Sequence, residues 1–332
     1  MARYLLKRFL TMIGLLIALS VAVFIIIQLP PGDYVTTYIR TLENNGFLVD
    51  NDMIEGIKMQ YGMDRSPVQR YFFWAANLLR GDMGRSFIYN QPVTSLIMGR
   101  LALTMIVSLI TLITTWIIAL PIGLYSALRQ YSVGDYIFTF LSFFGLAVPN
   151  FLLALLLMYF SFTLLGWNTI GLFSAEFENA PWSIAKIIDF LKHVWIPVIV
   201  IGVGGAASYV RIIRANMLDE LKKQYVITAK AKGLSPFALI VNYPLRIAIN
   251  PFISTIGWIL PQLVSGATIT AIVLNLQLTG PLLLTALTAQ DMYLAGSFLM
   301  MLSVLTLIGT FISDVLLAII DPRIRIGGRD EN

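Results

Sequence analysis

The chain has 332 residues, of which 58% are hydrophobic and 12% charged, against about 25% charged in an ordinary soluble domain. This excludes a soluble globular fold and points to an all-α polytopic membrane protein. A net charge of +5 confined to particular loops excludes a nucleic-acid-binding face, and the absence of cysteine excludes disulfides, thiolate metal sites and a cysteine nucleophile.

Arg3, Lys7 and Arg8 precede a charge-free run over 9–32. A bilayer core needs about 20 residues, and no small-residue cleavage site follows, so the run predicts an uncleaved first span with its amino terminus inside. Residues 33–99 form one polar segment carrying six basic and seven acidic residues, the near balance expected of an outer segment. Within it 69–79, with Tyr71, Phe72, Phe73 and Trp74, predicts an amphipathic helix lying in the membrane interface.

Residues 101–130 give span two, and 131–135 a short inner loop. Residues 136–174 are uncharged and predict one long span to about 165, kinked at Pro149-Asn150. An outer loop over 176–192 and a fourth span over 193–210 follow. The uncharged run 247–290 predicts span five over 249–274 and an outer lid around Leu278-Thr279-Gly280-Pro281. Residues 295–320 are span six.

Between spans four and five lies a basic island, 211–246, with seven Lys/Arg against two acids. The positive-inside tendency places it in the cytoplasm. Leu218, Leu221, Tyr225, Thr228 and Ala229 recur at helical spacing. Gly233 stands where a left-handed residue ends a helix. Ser235-Pro236 supplies an N-cap and a first-turn proline for a second short helix. The expectation is helix, glycine turn, helix.

These residues resemble the cytoplasmic coupling loop of ABC importer permeases, nearest to the peptide/nickel branch. Arg211, Arg214, Met217, Leu218, Tyr225, Val226, Thr228, Ala229, Ala231, Lys232, Gly233, Leu234, Leu245, Arg246, Ala248 and Pro251 fit that branch's pattern without a gap. The broader Glu-Ala-Ala-x3-Gly signature is met in part, with Ile227, Thr228 and Ala229 ahead of Gly233. Pro31-Gly32-Asp33, the run YGMDRSPVQRYFFWAANLLRGDMGRSF (61–87), Gln91-Pro92-Val93 and Asp321-Pro322-Arg323 extend the resemblance to both ends.

The resemblance implies the type I ABC importer permease fold, with six transmembrane helices and both termini cytoplasmic. It implies an N-terminal helix (1–32), an extracytoplasmic segment (33–99) and a five-helix core (100–332) holding the coupling loop. It implies as partners a second homologous permease, two ATP-binding subunits carrying ATP and Mg, and an extracellular solute-binding protein. Contact with the ATPase falls on Tyr225, Thr228, Ala229, Lys230, Ala231, Lys232, Gly233, Leu234 and Ser235. Small residues at 229 and 231 fit a helix seated deep in a partner's groove.

Past span five the branch usually has an acid, an aromatic and Pro-Gly-x-Gly. Here Ala271 stands near the acid's place and Gly280-Pro281 reverses the order. The solute stays open among oligopeptides, oligosaccharides and nickel.

Other polar residues divide between function and structure. Gln262, Ser265 and Thr268 suit a wetted translocation path or interhelical hydrogen bonds equally. Asp314, inside span six, suits that path or an ion pair with a neighbouring span's arginine. His193 is the only histidine and predicts a structural role, since one histidine builds no zinc site. Gly202-Val203-Gly204-Gly205 predicts close helix packing rather than a phosphate cradle. There is no HExxH, nucleophile elbow or Walker loop, which disfavours a membrane enzyme and predicts no ATP hydrolysis on this chain.

Overall fold

A computed structural model describes residues 2–28, 50, 54–56, 59, 65–254 and 268–320. The described residues are helical, apart from turns and one isolated bridge between Arg85 and Pro92. The helices are α1 (Ala2–Gln28), α2 (Pro67–Leu79), α3 (Val93–Leu128), α4 (Val133–Ala147), α5 (Asn150–Leu165) and α6 (Ile184–Leu221). They continue with α7 (Gln224–Ala231), α8 (Pro236–Asn242), α9 (Pro244–Ala248), α10 (Asn250–Ser254), α11 (Thr268–Val273), α12 (Thr279–Thr288) and α13 (Met292–Ile320). Parts of α1, α3, α6 and α13 are long and apolar enough to cross a bilayer, and α4 with α5 forms a bent pair that passes the same test. Half of predicted span five, including Gln262 and Ser265, lies outside the described residues.

The closest packing joins α3 to α6, with α4 and α5 against α6, and α1 against α13. Lipid is as apolar as a leucine side chain, so close backbone approach and hydrogen bonding must hold such helices together. The glycines supply that approach. A Cβ on Gly202 would lie 3.2 Å from Thr115 Oγ1, and one on Gly123 would lie 2.8 Å from Ile213 Cβ. The expected packing role of the 202–205 run holds for Gly202 and Gly205, both facing Thr115. Outward, α1 exposes Leu10, Ile17, Ile25 and Ile26, the face that suits lipid.

The structure departs from the sequence expectations in three places. The predicted kink at Pro149-Asn150 is a full break, and α4 and α5 meet at 102°. Val148 is extended (φ −79°, ψ 123°), as the residue before proline tends to be, so α4 stops at Ala147 and a new helix begins at Asn150. Second, α6 starts at Ile184, inside the stretch expected to be an outer loop. Ser183 caps it, accepting from Lys186 N. Third, α6 runs on to Leu221, so Arg211, Arg214 and Leu218 belong to the spanning helix and not to a separate loop helix.

The stretch expected to form an interfacial helix is helical, as α2, with a Ser66–Gln69 capping box and Pro67 in its first turn. Trp74 is buried against Phe24 of α1, and Tyr71 OH pairs with Ser20 Oγ at 2.9 Å. The turn before α3 is held by Asp291, which is fully buried. One of its oxygens accepts from Ser86 Oγ, Phe87 N at 2.8 Å and Ile88 N at 3.2 Å; the other accepts from Leu294 N at 3.1 Å. Burial pushes this carboxyl above the usual carboxylate range, and the donors from Ser86, Leu294, Ile88 and Phe87 pull it back.

Candidate functional site

At the end of α6 the chain breaks its helix at Lys222-Lys223, where Lys223 is extended (φ −72°, ψ 144°). It then builds a compact pair, α7 and α8. Ser235 Oγ accepts from Ala238 N, and Pro236 occupies the first turn of α8. Gly233 has φ +78° and donates its N–H to Lys230 O at 3.1 Å. The helix, glycine turn, helix arrangement is therefore present as expected. Its first helix begins at Gln224, however, because the lysine pair interrupts the helical spacing from Leu218.

The two short helices share a small core. Val226, Ala229 and Leu239 are buried, flanked by Tyr225, Leu234 and Tyr243. Tyr225 and Tyr243 stack with ring centroids 6.4 Å apart, and Tyr225 OH donates to Glu220. Ala229 thus lies elsewhere than expected. At 4% exposure it packs inside the pair and offers nothing to a partner's groove. Thr228, Lys230, Ala231, Lys232, Gly233 and Ser235 are exposed. So are two apolar side chains that spacing alone did not single out, Ile227 at 51% and Phe237 at 79%. Their signal is visible in hindsight as bulky apolar residues in a basic loop, one on each side of the glycine turn.

The pair is tied to the spans from below. Leu218, Leu221, Ile240, Leu245 and Ile249 pack with Ala127, Ile213, Met217 and Ala248. Arg214 of α6 holds Asp135 of α4 through two hydrogen bonds, Nε to Oδ1 at 2.9 Å and a terminal nitrogen to Oδ2 at 2.8 Å. Asp135 closes the predicted inner loop, yet it is 2% exposed.

Asp314 pairs with Arg8 of α1. That is the ion-pair alternative for this residue, and it leaves the carboxylate committed to a neighbouring helix. Thr268 opens α11 and lies against Gly280, where an added Cβ would come within 2.6 Å of its Oγ1. Among the described residues, no three His, Asp or Glu side chains are grouped to hold a metal ion.

Gly233 offers a direct test of the turn. The space around its Cα is open, so a Gly233→Val change meets no clash and carries only the cost of a left-handed β-branched residue, about 1–2 kcal/mol. The chain is expected to insert normally while uptake falls, and limited proteolysis should cut preferentially between α7 and α8. An unchanged cleavage pattern with full uptake would show that the left-handed turn is dispensable.

These features define a multi-pass membrane protein that carries a small, self-packed helix pair at one end of its longest helix. Residues 119–326 match the family described as "Binding-protein-dependent transport system inner membrane component", and the chain belongs to that family. It is 32% identical over 329 residues to the "Oligopeptide transport system permease protein AppB" of Bacillus subtilis (strain 168), covering 98% of this chain and 99% of that protein. It is 28% identical to the "Dipeptide transport system permease protein DppB" of Lactococcus lactis subsp. cremoris (strain MG1363), covering 98% and 100%. It is 27% identical to the "Peptidoglycan transport system permease protein YejB" of Agrobacterium fabrum, covering 99% and 100%.

Proposed function

We propose that this chain is one of two membrane subunits of an ATP-driven importer for oligopeptides, with solute delivered by an extracellular binding protein. The observation that carries this reading is the α7–α8 pair, a preformed knob with Ile227 and Phe237 turned outward on a chain without a phosphate loop. The relatives named as oligopeptide and dipeptide permeases favour peptides over oligosaccharides or nickel.

In this reading ATP and Mg²⁺ belong to two separate ATP-binding subunits, and hydrolysis takes place there. Each of those subunits seats one helix pair, ours and that of a second, homologous permease. The α7–α8 end and both termini face the cytoplasm; the 33–99, 166–183 and 275–291 segments face outward. The chain divides into the first span (1–32), the outer segment (33–99) and the core (100–332).

Mechanically, α6 has 38 residues, roughly 57 Å of helix at 1.5 Å per residue, against a hydrocarbon core of about 30 Å. It therefore projects beyond the bilayer and works as a lever with the helix pair at its tip. Closure of the ATP-binding subunits pushes the 225–234 segment, and the spans rock as bodies because lipid-facing backbone cannot unravel in hydrocarbon. A cavity between the two permeases then opens outward, with Gln262, Ser265 and Thr268 as candidate path residues.

The test is isolation of the tagged full chain from its own membrane. It is expected to bring down a second permease and a subunit carrying a Walker A loop. The complex in proteoliposomes should accumulate a labelled tripeptide only when ATP is inside and the binding protein outside. Recovery of the chain alone, or tripeptide accumulation without ATP, would overturn the reading.

A further inference from the structure

At the end of the molecule opposite the helix pair lies a cavity of about 470 Å³, within the size range of small-molecule sites. Leu103 of α3, Asn168, Glu178, His193 of α6, Asn275 and Gln277 line it, together with the 170–175 turn. Its walls are fixed from behind. Gly171 N donates to Leu274 O at 2.8 Å, and Ser174 donates to Asp189 through both its N–H (2.7 Å) and its hydroxyl (2.6 Å). Lys186 is buried beneath the same turn, with Nζ donating to Ala180 O at 2.6 Å and Glu178 O at 3.3 Å, and it lies over the rings of Phe173 and Trp182. A loop that spends a buried lysine on its own carbonyls is preorganised.

His193 is 4% exposed and has a fixed tautomer. Its Nδ1 is 2.8 Å from Asp189 O. A carbonyl only accepts, so Nδ1 carries a proton, and Nε2 is an acceptor whenever the ring is neutral; Asp189 Oδ1 lies 3.7 Å from the same Nδ1. Nε2 sits on the ring edge away from that bond and has no partner among the described residues. Glu178 is the second acceptor; Gln277 Nε2 donates to one of its oxygens. Among the described residues, the lining therefore carries one carboxylate, one imidazole, three side-chain amides and no cation. Such a site selects a donor-rich, positively charged group and repels an anion.

We propose that this cavity binds the primary ammonium group of a short peptide on the outer side of the membrane, with Glu178 and His193 as acceptors and Asn168 and Asn275 reaching the adjacent amide. The inference rests on the peptide-importer reading for the identity of the solute. The shared chemistry, a primary ammonium, is also that of an ethanolamine lipid headgroup, so the experiment separates the two.

His193 is the only histidine, so the full chain labelled with ¹⁵N-histidine and purified without a histidine tag gives a single imidazole in the spectrum. In nanodiscs of phosphatidylcholine and phosphatidylglycerol, which lack primary ammonium, trialanine is expected to shift the Nε2 resonance saturably. N-acetyl-trialanine, or trialanine with the Glu178→Gln variant, should bind about tenfold more weakly or worse, as loss of a charged hydrogen bond predicts. No saturable shift with trialanine, an equal shift with its acetylated form, or a shift only when phosphatidylethanolamine is added would each overturn the proposal. No ATP-binding subunit takes part, so a silent His193 removes this site and leaves the importer reading standing. A saturable shift in a chain that never assembles with an ATPase does the reverse.

Discussion

A chain carrying Ile227→Asp and Phe237→Asp is expected to reach the membrane at normal levels, fold, and lose both ATPase docking and uptake. Both side chains are largely exposed, 51% and 79%, so the folded chain alone gives up little when they change. Their neighbours Lys230, Lys232 and Ser235 are polar and exposed, which isolates the two apolar groups as the natural centre of a small interface with a polar rim. An aromatic anchor in such a position typically contributes 2 kcal/mol or more to binding. Two losses plus two new charges facing a partner's pocket should weaken docking by about 4 kcal/mol, roughly a thousandfold. The measurement is binding of purified ATP-binding subunits to the variant in nanodiscs. Ala231→Trp, also on the exposed side, should weaken docking without unfolding the pair. Ala229→Trp should fail by another route, since residue 229 is packed against Val226 and Leu239 and an indole there overpacks a core built around a methyl group. If the ATP-binding subunits hold the Ile227/Phe237 variant as tightly as wild type, the α7–α8 pair is not the docking surface.

The contrast between Ala229 and Phe237 shows where sequence reasoning was strong. Backbone chemistry was legible. Gly233, Ser235 and Pro236 each announce a local conformation, and all three adopt it. The apolar runs were legible too, because a bilayer imposes their length. Facing was harder. The α7 helix has only eight residues, too few for its pattern to show which side meets α8, and Ala229 passed for an outward residue although Val226 and Ala229 share the inward face.

Charges misled in a consistent way. Lys186 and Asp189 fall in the predicted outer loop and Asp135 in the predicted inner loop, yet these three and Asp291 are buried; Lys186 bonds carbonyls six and eight residues back, whereas segments farther along the chain supply partners for the three acids. Ser174 serves Asp189, Arg214 serves Asp135, and Ser86 serves Asp291. Nothing local in the chain encodes those partners. The one hint was economy: a chain with so few charges seldom leaves an acid beside a span without using it. Asp314 was the case where that hint worked, since its pairing with Arg8 was one of the two roles it allowed.

The Asp135–Arg214 pair should show an asymmetry that a simple salt-bridge count would miss. Asp135 sits in the first turn of α4 with a side-chain exposure of 3%, whereas the Arg214 side chain is 27% exposed. Besides both arginine bonds, Asp135 accepts from Tyr131 N at 2.9 Å, and Tyr131 is held at φ +64°, a conformation uncommon for a non-glycine residue. Arg214→Met strands a buried carboxylate without its cation. Breaking a buried pair this way costs about 3–5 kcal/mol; the pair's partial exposure to water lowers the expectation to about 3 kcal/mol. Asp135→Asn keeps an acceptor for Tyr131 and lets the guanidinium turn toward solvent, so it should cost only about 1 kcal/mol. The double variant, Asp135→Asn with Arg214→Met, has no stranded charge and should recover part of the loss of Arg214→Met alone, a coupling expected between groups in direct contact. Thermal unfolding of the four chains in detergent, followed by tryptophan fluorescence, gives the cycle. If Asp135→Asn proved as damaging as Arg214→Met, or the double variant were the least stable of the four, the buried carboxylate would not be what makes this clasp costly to break. The same pair joins the α3–α4 turn to the part of α6 that leads into the helix pair. In the rocking mechanism a loosened clasp lets α6 yield under the push, so Arg214→Met should leave ATP hydrolysis near its wild-type rate while uptake per ATP falls.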